Sequence, residues 1–409
     1  MVFPMKTPGK ESRRTHTTIV LCFVVALLEG MDLQSAGIAA PGMAAQFGLT
    51  STMMGAVFSA SILGLLPGAL GGGWLADRIG RKGVLIGAVA LFGLFSIATA
   101  LVWDFYSLLA ARFLTGVGLG AALPNLIALS SEAADARSRG TAVSLMYCGV
   151  PLGGALAALV GMAGLASGWK AVFYVGGVAP LLVAPLLVLC LPESAAFHEQ
   201  RSVRSAAPRV SLRQGLFQEG AAVPTLLLWI SYFFTLMVVY MLLNWLPSLL
   251  VGQGFSRSQA GTVQILFNIG GATGSLLFGL LLDRWRPLAL VALTYTGILA
   301  ALAGLSLSTS FASMLLASFS AGFFSIGGQL VLYALAPLFY PTAMRATGVG
   351  AAVAVGRLGS MSGPLVAGQM LAMGTGATGL LLASAPGVVV AAAAVFYLLG
   401  QRRAEGLTI

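Results

Sequence analysis

Charged residues are scarce in this sequence. Only 8% of its 409 residues are Asp, Glu, Lys or Arg, whereas 58% are hydrophobic. A soluble protein of this length could not bury so much apolar surface, but a protein that crosses a membrane many times exposes that surface to lipid. Composition therefore excludes a soluble globular protein and favours a polytopic membrane protein.

Cysteine and histidine are also rare. Cys22, Cys148 and Cys190 lie in separate apolar stretches, and His16 and His198 lie outside such stretches. Their spacing fits neither a disulfide framework nor a metal site, and the apolar stretches contain no Ser, His and Asp cluster. We therefore expect no metal, no cofactor and no enzymatic centre.

Long apolar stretches make up most of the chain. About 20 residues suffice to cross a bilayer as a helix, and twelve such spans are present. Their approximate limits are 17–43, 53–76, 83–103, 107–131, 140–163, 170–191, 224–251, 258–282, 287–309, 312–338, 346–373 and 378–400. The sequence therefore predicts an all-α membrane protein with twelve transmembrane helices.

The longest polar stretch, 192–223, divides the spans into six and six. It predicts a central loop between an N-terminal bundle, 17–191, and a C-terminal bundle, 224–400. Short tails, 1–16 and 401–409, flank the two bundles.

Positive charge is distributed unevenly between the two sides of the membrane. Eighteen of the 22 lysines and arginines fall in the tails, the central loop and the connections on the same side. Cytoplasmic segments carry such an excess, so we expect both termini in the cytoplasm. The net charge of +10 thus reflects topology, and we expect no nucleic-acid partner.

The two halves repeat with a constant shift of 206 residues. The shift aligns Asp77 and Arg78 with Asp283 and Arg284, and it aligns several glycines and prolines as well. Repeated six-helix halves are one known transporter plan, with the substrate site near the midplane between them. The fold prediction is therefore two pseudo-symmetric six-helix bundles around a central pocket.

Several motifs accompany this repeat. Residues 73–82 read G-W-L-A-D-R-I-G-R-K, residues 112–118 read R-F-L-T-G-V-G, and residues 191–194 read L-P-E-S. These motifs resemble signatures of the major facilitator superfamily. The resemblance implies alternating access, and it implies a gate on the cytoplasmic side formed by Asp77, Arg78, Arg81, Asp283 and Arg284.

The first span indicates a subgroup. Residues 29–32 read E-G-M-D, which resembles the D-G-x-D element of the aromatic acid:H⁺ symporter family, and 116–129 and 354–359 resemble that family too. The resemblance covers nearly the whole chain. It implies proton-coupled import of a small aromatic carboxylate of the hydroxyphenylpropionate type across a bacterial inner membrane, by a monomer with protons as the coupling ion. The family's first acid is more often Asp, and Glu29 is longer.

Four ionisable residues lie deep within the spans: Glu29, Asp32, Arg112 and Arg357. Charges at bilayer depth are costly and usually face a protein interior or a water-filled path. Arg357 suits a carboxylate because its guanidinium group is always charged and can donate two parallel hydrogen bonds to the carboxylate oxygens. Glu29 and Asp32 are the expected proton sites.

Arg112 is the expected partner of Asp32. At about 1.5 Å per residue, the two lie at similar heights in a core ~30 Å thick, which allows an ion pair. An Arg112 that only holds two helices together, without a role in proton coupling, is an equally good interpretation. We expect the acids on one side of a shared pocket and Arg357 on the other.

Further polar residues at helical spacing are candidates for lining the pocket, because such groups turn away from lipid. They are Asn125, Tyr147, Tyr240, Asn244, Gln264, Asn268, Gln329 and Tyr333. For any one of them, a bond between helices is the commoner role.

Two other functions compete with import. An antiporter or exporter of amphipathic compounds would use the same fold, and residues 149–154, G-V-P-L-G-G, come close to the antiporter motif G-P-x-x-G-G. A membrane sensor or membrane-embedded enzyme fits less well, since the sequence offers no catalytic cluster or soluble domain.

Overall fold

The computed structural model describes residues 10–135, 139–163, 168–194, 222–282, 284–340 and 345–404. This part of the chain forms thirteen α-helices and one short 3₁₀ helix at Ala336–Phe339. The α-helices are α1 Lys10–Phe47, α2 Ser51–Ile79, α3 Arg81–Ala100, α4 Phe105–Ala133, α5 Arg139–Tyr147, α6 Gly149–Met162, α7 Lys170–Cys190, α8 Ala222–Gly252, α9 Arg257–Leu282, α10 Pro287–Leu307, α11 Phe311–Leu335, α12 Arg345–Ala372 and α13 Gly376–Ala404.

These helices confirm the twelve predicted spans, because α5 and α6 together form a single span of 24 residues, Arg139–Met162. Helix α1 begins at Lys10 and α13 ends at Ala404, so both continue into the predicted tails. Most of the predicted central loop, 195–221, lies outside the described residues.

Short polar caps begin several helices. Thr50 accepts a hydrogen bond from the backbone N–H of Met53 at the start of α2. Asp104 and Ser107 form a reciprocal capping box at the start of α4. Such caps satisfy backbone donors that the first turn of a helix leaves unpaired, so they favour the start of these two spans at α2 and α4.

Close helix packing repeats between the halves. A Cβ at Gly116 of α4 would overlap the carbonyl oxygen of Ser61 on α2, and a Cβ at Gly322 of α11 would overlap that of Phe267 on α9. Each residue of the first pair lies 206 positions before its counterpart. The shift of 206 residues therefore relates helix contacts in the two halves as well as residue types. Small residues at these positions let the helix backbones approach closely.

Because twelve spans separate them, the start of α1 and the end of α13 lie on the same side of the bundle. We call that side the terminus face and the other side the opposite face. The halves meet tightly near the opposite face, where Gly37 of α1 packs on the backbone of Asn244 in α8. Gly55 of α2 packs in the same way on Pro364 of α12.

Candidate functional site

A cavity of about 530 Å³ lies between the two halves. Helices α1, α2, α4 and α5 line it from the first half, and α11 and α12 line it from the second. Most of the lining is apolar, and its ionisable side chains are Glu29, Tyr147, Tyr333 and Arg357. Its size and chemistry are those of a site for a small organic molecule.

Arg357 supplies positive charge to this cavity. It lies near the middle of α12 and is only half-buried. Its Nη1 donates a hydrogen bond of 2.7 Å to the hydroxyl oxygen of Tyr240 on α8. That bond orients the guanidinium group while leaving its other N–H groups available to a ligand.

A second polar group borders Arg357. Gln329 of α11 donates hydrogen bonds from Nε2 to the hydroxyl of Tyr333, at 2.7 Å, and to that of Tyr147, at 3.4 Å. Tyr147 belongs to the first half and Gln329 to the second, so this short chain of groups joins the two walls. Of the residues expected to line the pocket, Tyr147, Tyr333 and Arg357 do line this cavity, whereas Gln329 does not line it and bonds to the two tyrosines.

Glu29 lies on the α1 side of the same cavity. Its side chain is 5% exposed, and no described residue donates a hydrogen bond to its Oε2 atom. A charged carboxylate in such a place is costly unless a cation or a hydrogen-bond donor satisfies it. The structure thus leaves one oxygen of the Glu29 carboxyl without a donor beside the cavity.

Asp32 and Arg112 form a buried ion pair away from the cavity. Nη1 of Arg112 lies 2.8 Å from Oδ1 of Asp32, and Nη2 donates to the Asp32 backbone carbonyl at 3.3 Å. Both side chains are inaccessible to solvent, and the ring of Phe173 lies 5.4 Å from the guanidinium carbon. The expected pairing is thus present, inside the first half.

The placement of Asp32 differs from the expectation that both acids face a pocket shared with Arg357. Three residues advance roughly 300° around a helix, which leaves Glu29 and Asp32 about 60° apart. That angle is enough to turn Glu29 toward the cavity and Asp32 toward α4 and α7.

Gln264 and Asn268 of α9 were expected to line the pocket, but they meet Gln34 of α1 instead. Gln34 Nε2 donates to Asn268 Oδ1 at 2.8 Å. Gln34 Oε1 accepts from Gln264 Nε2 at 2.8 Å and from Asn268 Nδ2 at 2.9 Å. All three side chains are buried, so this amide cluster ties the two halves together.

Sequence reasoning did not select Gln34 as a site residue, although it is an uncharged polar residue in the middle of an apolar span. Gly154 of α6 makes room for it, since a Cβ there would overlap the Gln34 amide. Gly153 packs on the carbonyl of Leu27 in α1. The antiporter-like glycines therefore have a packing role beside α1.

Two other candidates, Asn125 and Asn244, bond to their own helices. Asn125 Nδ2 donates to the carbonyl of Ala121, and Asn244 Nδ2 donates to that of Tyr240, each at 2.8 Å. Both side chains are buried, and neither lines the cavity. The amide nitrogen of each side chain thus already has an acceptor within its own helix in this conformation.

A second seam closes the opposite face between α2, α8 and α12. Trp245 Nε1 donates to the carbonyl of Pro364 at 3.1 Å, and its ring packs edge-on against Phe58 with centroids 5.1 Å apart. Ser59 Oγ donates to the carbonyl of Met361 at 2.7 Å. This seam and the amide cluster separate the cavity from the opposite face.

The cavity extends instead toward the terminus face. Its lining includes Leu70 in the second half of α2, Ser144 in the first quarter of the span Arg139–Met162 and Gly350 near the start of α12. Leu70 is 77% exposed. The conformation is therefore open toward the terminus face and closed at the opposite face.

The predicted gate residues lie on the terminus face. Asp77 and Arg78 are exposed, and the Arg78 guanidinium lies 3.8 Å from the centroid of the Trp74 ring. Arg284 is exposed as well, and Asp283 lies outside the described residues. Because Asp77 is exposed to solvent, it does not close the predicted gate in this conformation.

Arg81 has a different environment. It forms an ion pair with Glu132 at the end of α4. The backbone N–H groups of Arg81 and Lys82 donate to Oε1 of Glu193 at 2.9 and 3.1 Å. A carboxylate at a helix N-terminus is favourable, so Glu193 joins the end of α7 to the start of α3.

Comparisons with known proteins agree with this architecture. The sequence profile of the Major Facilitator Superfamily matches residues 22–364 and 228–408. The chain is 61% identical over 397 residues to the 3-(3-hydroxy-phenyl)propionate transporter of Escherichia coli K12, covering 97% of each protein. It is 37% identical to the 4-hydroxybenzoate transporter PcaK of Pseudomonas putida, covering 89% of this chain and 88% of PcaK.

Solved structures resemble the fold at lower sequence identity. The xylose transporter XylE from E. coli, in a structure described as inward open, superposes with a TM-score of 0.78 at 19% identity. The match covers 93% of this chain and 96% of XylE. The chain therefore belongs to the Major Facilitator Superfamily, in the same family as the aromatic-acid transporters it resembles.

Proposed function

We propose that this protein is a symporter that imports a small aromatic carboxylate together with protons by alternating access. The observation that carries the proposal is the central cavity, in which Arg357 lies in the wall from one half and the carboxyl of Glu29, whose Oε2 atom has no partner among the described residues, lies in the wall from the other. The protein acts as a monomer in the bacterial inner membrane, without a cofactor.

The cavity chemistry favours an aromatic acid. The guanidinium of Arg357 binds the carboxylate through two parallel hydrogen bonds, because it has free donors beside the bond to Tyr240. Leu66, Leu123 and Val353 offer apolar surface for the ring. A ring hydroxyl would bond to the Tyr147 and Tyr333 hydroxyls, which supports a hydroxyphenylpropionate such as the one named for the E. coli relative.

Glu29 is the proposed proton carrier of the cavity. Burial favours its neutral form, whereas a nearby arginine favours its charged form. When the carboxylate occupies Arg357, the positive charge facing Glu29 is neutralised and proton binding becomes more favourable. Substrate and proton therefore bind together, which is the requirement for symport.

Asp32 and Arg112 are the second proposed element of coupling. Their pair links α1 to α4 inside the first half, and Oδ2 of Asp32 has no hydrogen-bond partner among the described residues. A shift of α1 that loosened this pair would make the carboxylate of Asp32 easier to protonate. Arg112 thus connects the position of α1 to proton uptake.

Alternating access follows from the two ends of the cavity. We assign the terminus face to the cytoplasm because its connections hold most of the lysines and arginines. The conformation described above is then inward-open. In the outward-open conformation, the amide cluster and the Trp245 seam part while Asp77 and Arg78 close the cytoplasmic side with Arg284 and the adjacent Asp283.

The proposal is tested by uptake of labelled 3-(3-hydroxyphenyl)propionate into vesicles containing the purified protein. A pH gradient, acidic outside, should drive accumulation, and a protonophore should abolish it. Accumulation that is independent of the gradient would contradict proton symport. Efflux driven by proton entry would favour the antiporter, although the packing role of Gly153 and Gly154 removes one reason to expect it.

A further inference from the structure

A second cavity, of about 380 Å³, lies between the halves at the opposite face. Its lining includes Ile38, Ala158 and Ala260. Ile38 lies four residues from Gln34, Ala158 four residues from Gly154 and Ala260 four residues from Gln264, which is about one helical turn in each case. In each case the cavity residue is the one nearer the opposite face. The amide cluster therefore separates this outer cavity from the central one, and the two cavities lie in series.

An aromatic ring forms part of the outer cavity wall. Trp169 lines it, and its indole Nε1 donates a hydrogen bond of 2.9 Å to Oε1 of Gln46. The rings of Phe47 and Phe173 pack edge-on against Trp169, with centroids 6.1 and 5.8 Å away. The indole is thus held in place, as a surface for stacking another ring requires.

Positive charge borders the same cavity. Arg257 lines it and is exposed, and Ser258 beside it supplies a hydroxyl. The connections on the opposite face carry only three charged residues in the sequence: Asp104, Lys170 and Arg257. Lys170 Nζ lies 5.8 Å from the centroid of the Trp169 ring. The outer cavity is therefore lined by one cation, Arg257, and by an aromatic ring that has a second cation, Lys170, beside it.

The single acid of this face does not cancel that charge. Asp104 caps α4 and accepts a hydrogen bond of 2.7 Å from the backbone N–H of Ser107. The hydrogen bonds from Ser107 lower the pKa of Asp104, so it stays ionised at the start of α4. It does not line the outer cavity, whose described lining contains no carboxylate.

From these observations we infer that the outer cavity is a second binding site for an aromatic carboxylate. The ring packs on Trp169, and the carboxylate binds Arg257 and Ser258. This inference rests on the proposed function, because it assigns the same class of ligand to a site on its path. The acid binds on the opposite-face side of the amide cluster and reaches Arg357 when the hydrogen bonds of the cluster break.

The site is expected to be weaker than the central one, since Arg257 is exposed and its ionic contact is screened by water and salt. Its effect is to concentrate anions at the entrance. Arg257→Gln should therefore raise the KM for uptake about fivefold and leave the maximal rate unchanged. Arg286→Gln is the matched control, because Arg286 is an exposed arginine on the terminus face.

Equilibrium dialysis of the purified full-length protein with labelled 3-phenylpropionate separates the two sites. The wild type should show a strong and a weak site, and Arg357→Gln should retain only the weak one. Adding Arg257→Gln or Trp169→Phe to Arg357→Gln should reduce that remaining binding, whereas adding Arg286→Gln should not.

Two results would overturn the outer site: no remaining binding in Arg357→Gln, or remaining binding that Arg257→Gln and Trp169→Phe leave unchanged. Failure of the proposed function gives a different pattern. In that case the wild type itself would lack the strong site, and an imposed pH gradient would drive no uptake.

Discussion

Replacement of Gln34 by leucine tests whether the amide cluster holds the opposite face closed. The change removes all three hydrogen bonds that join Gln34 to Gln264 and Asn268 across the halves. Hydrogen bonds between membrane helices contribute about 0.6 kcal/mol each, so the closed arrangement should lose about 2 kcal/mol. That loss corresponds to roughly a thirtyfold rise in the ratio of outward-open to inward-open protein.

The shift can be measured as a distance distribution between spin labels on the opposite face. Ala45 at the end of α1 and Gln253 after α8 are exposed, and cysteines there would report the separation of the halves. The exposed Cys190 would first be replaced by serine. We expect Gln34→Leu to add a population at longer distance that the parent protein lacks.

Gln369→Leu provides the matched control, because Gln369 is an exposed glutamine of α12. It should leave the distance distribution unchanged. The assigned role of the cluster would be refuted if Gln34→Leu also left the distribution unchanged, or if both substitutions lengthened the distance equally.

Three further outcomes are expected. Arg357→Gln should weaken binding of an aromatic carboxylate about ten- to a hundredfold, and Arg357→Lys should restore only part of it, because an ammonium group does not fork onto a carboxylate; equilibrium binding measures both. Glu29→Gln should lose proton-driven accumulation but retain counterflow exchange. Asp32→Asn should lower the free energy of unfolding by about 3–5 kcal/mol, because Arg112 loses its buried partner. Asp32→Asn combined with Arg112→Gln should recover part of that free energy. Gly154→Ala should displace the Gln34 amide and lengthen the spin-label distance, whereas Gly87→Ala, which has open space around it, should not.

The fold was predictable because its signals are long and repeated. Twelve apolar stretches and a constant shift of 206 residues depend on many positions at once, so no single residue decides them. The break between α5 and α6 at Cys148 was not predicted, since an uninterrupted apolar stretch carries no sign of it. Helix ends were less certain, and α1 begins seven residues before the predicted span.

The site was predictable where charge is costly. Glu29, Asp32, Arg112 and Arg357 stand out because a buried charge needs a partner or a function. The sequence could not tell which acid faces the cavity, because about 60° of rotation on α1 decides it.

Uncharged amides were harder to place. Gln264 and Asn268 share a helix face, but the contact that satisfies them comes from Gln34, 230 or more residues earlier in the chain. Only the packing of α1, α6 and α9 brings these groups together. The outer cavity was missed for a related reason: Arg257 indicated only membrane topology in the sequence, and the fact that it lines one cavity with Trp169 appears only in three dimensions.

An aromatic carboxylate and its primary amide differ in charge but hardly in shape, so a comparison of their affinities probes Arg357 with few assumptions. In the wild type, the acid should bind at least about tenfold more tightly than the amide, and Arg357→Gln should remove most of that preference. Equal affinity of the wild-type protein for the acid and the amide would contradict the assignment of Arg357 as the group that binds the carboxylate.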